Sequence, residues 1–121
     1  MDETGLFWRR VPSSGLATTP RPGVKLEKTR ISLAFCSNAT GDDLFEIWAI
    51  GKAKQPLALR GFNLDRFGIK WRNNIKVWMT TDIMVEWLDS FYAHIQRTKP
   101  DEKILLVLDN FSPHTDRKSV V

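Results

Sequence analysis

The chain has 121 residues, enough for one modest domain and too few for two. Its apolar content is that of a soluble globular protein, and no apolar run approaches the roughly 20 residues needed to span a bilayer. Cys36 is the sole cysteine, which excludes an intrachain disulfide, and Met1-Asp2-Glu3 does not open a signal peptide. Lys plus Arg exceed Asp plus Glu by 18 to 14, unevenly: residues 1–80 hold thirteen basic and seven acidic side chains, residues 81–121 five and seven. A one-sided excess suits a polyanion partner; a solvated surface with a mild bias gives the same count.

Asp2-Glu3-Thr4-Gly5 opens the chain, and Leu6 to Val11 has strand composition. Pro12 to Gly15 predicts a turn, and Pro20 and Pro22 argue against a central strand nearby, because proline lacks the ladder donor. Residues 29–36 alternate polar and apolar, which predicts a strand with one face buried. Asn38 to Asp43 is a turn cluster, and Leu44 to Ile50 is a second strand, so an antiparallel hairpin is expected. Residues 57–76, punctuated by Gly and Asn, predict a long basic loop with a short extended piece.

Thr80-Thr81-Asp82 carries the signals of a helix start. Ile83, Met84, Trp87, Leu88, Phe91, Tyr92 and Ile95 then form one stripe of an amphipathic helix, which Pro100 ends. The stripe is expected to cover a sheet. Ile104 to Leu108 is an unbroken aliphatic run, predicted as a strand buried on both faces, with Asp109 at its carboxyl end. The polar tail after His114 is expected to fray. The order strand, strand, strand, helix, strand predicts an α/β fold with a mixed sheet.

Open α/β sheets place ligands at the carboxyl ends of their strands, so Asp109 calls for a partner. If the first strand lies beside 103–109, Asp2 faces Asp109, and two carboxylates brought together require a hard cation between them. That arrangement suits metal-assisted cleavage of a phosphodiester; an acid ending a strand also occurs as a simple turn or cap residue. Lys52, Lys54, Lys70, Arg72 and Lys76 form a candidate nucleic-acid surface. Trp71 and Trp78 among them either stack on bases or belong to the core.

Several motifs occur together: Asp2 to Trp8, Cys36 to Gly41, Ile50 to Pro56, Trp78-Met79-Thr80 and Leu106 to Asn110. In this order, over residues 2–114, they resemble the DDE superfamily endonuclease domain of pogo- and Tigger-like transposases. That family also includes the transposase-derived region of centromere protein B. The resemblance implies a partial ribonuclease-H-like fold over residues 1–114, followed by an unpatterned tail at 115–121. It implies Asp2 and Asp109 as the first two catalytic acids, holding Mg2+ or Mn2+. Asn110 and His114 match residues that follow the second acid. DNA as partner and the nucleus as location follow from the same resemblance, with no membrane association.

The family's third acid is expected a few dozen residues beyond Asp109, and Asp116 is a poor substitute. The segment leading into the first strand and the helix-turn-helix module are likewise expected to be missing. The resemblance therefore predicts a core that is inactive alone, with uncovered sheet edges open to self-association. The alternative is a domesticated DNA- or protein-binding module without catalysis.

Overall fold

A computed structural model describes residues 1–7 and 30–110. β1 (Asp2–Leu6), β2 (Ile31–Phe35), β3 (Ile47–Gly51) and β4 (Ile69–Asn73) form one sheet in the order β1-β2-β3-β4. β1 and β2, and β2 and β3, are antiparallel; β3 and β4 are parallel. The domain is thus α/β with a mixed sheet and one helix, α1 (Thr81–Thr98).

The expected hairpin is β2–β3. Its turn holds because Asn38 accepts the Gly41 amide at 3.2 Å and its own amide donates to the Asp43 carbonyl at 3.1 Å. Parallel β4 requires a crossover, and the chain makes it through two short 3-10 turns, Leu57–Leu59 and Leu64–Phe67. Gly68, at φ 68°, ends the second turn, and the Ile47 amide donates to its carbonyl at 2.9 Å. The extended piece expected within residues 57–76 is β4.

α1 begins where its signals place it. The Thr80 hydroxyl accepts the Ile83 amide at 3.3 Å, and Asp82 lies in the first turn. Its apolar stripe covers one face of the sheet, except that Tyr92, expected in the stripe, is exposed. On that face the cross-strand pairs Ala34–Trp48 and Ser32–Ile50 meet Ile83, Met84 and Trp87, all buried. Phe45 packs edge-on against Trp87 at 5.5 Å, and Trp87 stacks on Phe91 at 5.1 Å. No helix among the described residues is long and apolar enough to cross a membrane.

Two expectations are corrected. The first strand is β1 at Asp2–Leu6, so Asp2 and Glu3 lie within it rather than before it; pairing with β2, not local composition, sets its span. Residues 8–11 and the proline-containing segment lie outside the described residues. The second correction is larger. Residues 103–109 run without regular strand structure and are not buried on both faces: Leu105 is 87% exposed and Val107 70%. Leu106 and Leu108 alternate inward onto the core, so one side of the segment is covered and the other is not. The segment does lie beside the start of β1, where the Met1 nitrogen donates to the Val107 carbonyl at 3.0 Å.

Candidate metal centre

That edge contact positions the acids. Asp2 is the first residue of β1, and Asp109 ends the segment that passes beside it. One carboxylate oxygen from each of Asp2, Glu3 and Asp109 lies within 4.8 Å of the other two. Asp2 and Asp109 are exposed and Glu3 is half-buried. The Asp2 side chain turns back along its own strand, and its Oδ1 accepts the Glu3 amide at 2.9 Å.

Glu3 is the member of this cluster that the sequence reading did not single out. Successive strand residues face opposite sides, and the register agrees: Glu3 pairs with Ala34 on the helix face, Asp2 with Phe35 on the other. Alternation therefore separates the two. The strand's end and the longer glutamate side chain bring their carboxylates back together.

The donor set is all oxygen, which suits hard cations such as Mg2+ or Mn2+. Cys36 follows Phe35 and is half-buried; burial pushes its thiol above its usual range, so it offers no thiolate near neutrality. A groove of about 750 Å³ opens beside Asp2, with Phe35, Leu44, Glu46 and Phe67 among its walls.

The expected basic residues are placed elsewhere. Asp2 pairs with Phe35 and Ile47 with Ile69 at one end of the sheet; Leu6 pairs with Ile31 and Gly51 with Asn73 at the other. Lys52 and Lys54 follow Gly51, and Lys76 follows Asn73, so all three lie at the end remote from Asp2 and all are exposed. A five-residue strand separates the two ends of the sheet by about 15 Å. Lys70 pairs with Asp65 at 3.2 Å. Arg72 pairs with Glu86 at 2.7 Å and lies 4.6 Å over the Trp48 ring, so it ties β4 to α1 and the core. Trp71 is half-buried and Trp78 carries Arg30 at 4.0 Å from its ring centre. Asn110 is exposed next to Asp109; His114, Asp116 and the tail lie outside the described residues.

Sheet and acids together define a mixed α/β domain whose carboxylates converge at the sheet's edge. The family of DDE superfamily endonucleases matches residues 28–120, and the chain belongs to that family, in its pogo- and Tigger-like branch. CENP-B homolog protein 2 of Schizosaccharomyces pombe is 40% identical over 116 residues, covering 94% of this chain and 22% of its own length. ARS-binding protein 1 of the same organism is 38% identical over 116 residues, with the same coverage. Tigger transposable element-derived protein 7 of Homo sapiens is 28% identical over 131 residues, covering 98% of this chain and 24% of its own length. The chain therefore spans less than a quarter of each of these relatives. No solved structure matches it significantly.

Proposed function

We propose that the chain forms part of a ribonuclease-H-like DDE endonuclease core that binds DNA and a divalent cation for phosphodiester cleavage and strand transfer. The observation that carries the reading is the meeting of Asp2 and Asp109 at the sheet edge within 4.8 Å. Three antiparallel strands, a helix on one face, and a segment returning beside β1 support it. Asp2 and Asp109 would hold Mg2+ or Mn2+. Such ions supply an activated water or 3′-hydroxyl and stabilise the leaving oxygen. The groove beside Asp2 leaves room for a DNA strand, and the exposed rings of Phe35 and Phe67 offer it stacking surfaces. Nuclear location follows as part of the same reading.

The test is nicking of supercoiled DNA by the purified chain at millimolar Mg2+ or Mn2+. Activity that disappears in Asp109→Ala supports the reading. No cleavage by a folded chain, with or without the substitution, sinks autonomous catalysis.

A second reading has its own observation: Lys52, Lys54 and Lys76 lie at the far end of the sheet from the acids. A domesticated DNA-binding module would use that end alone. Its affinity would be salt-sensitive and would survive Asp109→Ala.

A further inference from the structure

We propose that residues 104–108 form an open sheet edge on which a second copy of this chain pairs antiparallel, making a two-fold dimer. The backbone calls for a partner. Leu106 and Leu108 turn onto the core while Leu105 and Val107 face out, the alternation of an extended strand. Among the described residues, the Val107 carbonyl, which accepts from the Met1 nitrogen at 3.0 Å, is the one backbone group of this stretch with a hydrogen bond. Val107 thus directs its backbone toward β1. In an extended chain the amides and carbonyls of Ile104, Leu106 and Leu108 then point the other way, to the open side. An apolar edge with its ladder groups unpaired is a template for strand addition.

Charge and shape select a second copy as the occupant. Lys103-Ile104-Leu105-Leu106-Val107-Leu108-Asp109 is self-complementary when read against itself in reverse. A two-fold axis at Leu106 sets Leu106 opposite itself, Ile104 opposite Leu108 and Leu105 opposite Val107. It also sets Lys103 of each copy opposite Asp109 of the other, and both residues are exposed. Ile104, Leu106 and Leu108 become the hydrogen-bonded pairs and exchange about six backbone bonds. Their side chains extend the covered face of each core, while Leu105 and Val107 gain apolar neighbours on the other face. In-register parallel pairing sets Lys103 beside Lys103 and Asp109 beside Asp109, so charge favours the antiparallel arrangement.

The test is sedimentation equilibrium of the 121-residue chain over a concentration series, with far-UV circular dichroism to confirm that each variant folds. Wild type should dimerise. Lys103→Glu turns two attractive pairs into two repulsive ones and should weaken the dimer by about tenfold. Lys103→Glu combined with Asp109→Lys restores both pairs in reversed sense and should recover it. Amide exchange followed by NMR reads the register: Ile104, Leu106 and Leu108 should gain protection as the dimer forms, and Leu105 and Val107 should not. A chain that stays monomeric throughout the series overturns the inference; protection of the same amides in that monomer gives the edge to a segment of the same chain. A dimer that Lys103→Glu leaves unchanged, or that the double variant does not restore, overturns it as well.

Discussion

The indole of Trp71 occupies the space where a side chain on Gly51 would have to go. An added Cβ at Gly51 would overlap the ring itself. Trp71 folds over that gap so that its Nε1 reaches the Ala53 carbonyl at 2.9 Å, capping the β3–β4 end of the sheet. Gly51→Ala should cost about 1–3 kcal/mol by overpacking. Urea denaturation measures it, and the double variant Gly51→Ala/Trp71→Leu should lose less than the sum of the single changes.

Trp87 offers a second contrast. It is fully buried, stacked on Phe91, and among the described residues its Nε1 has no acceptor. Trp87→Ala should cost about 3–5 kcal/mol, enough to unfold a marginal domain. Trp87→Phe keeps the stack and removes a buried unpaired donor, so thermal melts should show it as the much milder change.

Val77 holds a positive φ of 58°, costly for a β-branched residue. Ser32, fully buried, donates its hydroxyl to the Val77 carbonyl and pins the turn ahead of α1. Val77→Gly should stabilise the chain by about 1 kcal/mol, and Ser32→Ala should destabilise it by about 1–3 kcal/mol. Chemical denaturation of the two variants checks the opposite signs.

The β2–β3 turn has a pH window. Hydrogen bonds from Thr40 and Asn38 hold the Asp42 carboxyl below its usual value, and the hydrogen bond and charge of Asp43 hold Lys99 above its usual value. Asp42 therefore contributes in full above its unfolded pKa and loses its contribution as pH falls through the lower folded value. Lys99 contributes in full below its unfolded pKa and loses its contribution as pH rises through the higher folded value. Stability measured against pH should lose its acid-side dependence on this turn in Asp42→Asn and its alkaline-side dependence in Lys99→Gln.

The basic residues should separate by role. Arg72→Gln removes the Glu86 pair and the Trp48 contact, and should lower stability by about 1 kcal/mol. Neutralising Lys52, Lys54 and Lys76 together should leave stability unchanged. In DNA-binding titrations over a salt series, it should flatten the slope by about 1 for each phosphate that a lysine no longer neutralises.

Sequence made α1 and the β2–β3 hairpin legible because both bury one face, and burial imposes a period that can be read. The Thr80 cap and the stop before Pro100 were equally local. β4 was visible only as a short extended piece, because Lys70 and Arg72 make polar ion pairs where strand composition predicts apolar residues. Ile104 to Leu108 misled: five aliphatic residues imply two covered faces, and the structure covers one. The closeness of Asp2 and Asp109 was legible through the expected neighbourhood of two segments. Glu3 was not singled out, because the expected strand began at Leu6 and left no register from which to place its side chain.

The Met1–Val107 hydrogen bond joins residues 106 positions apart, so the acids come together only after nearly the whole described chain has been closed into a loop. Pairings of such separation form late in folding. The stabilisation that a cation bound between the carboxylates would add then falls on the native side of the barrier. A bound ion should accordingly act as a latch: it lengthens the lifetime of the folded chain and leaves the speed of folding nearly untouched.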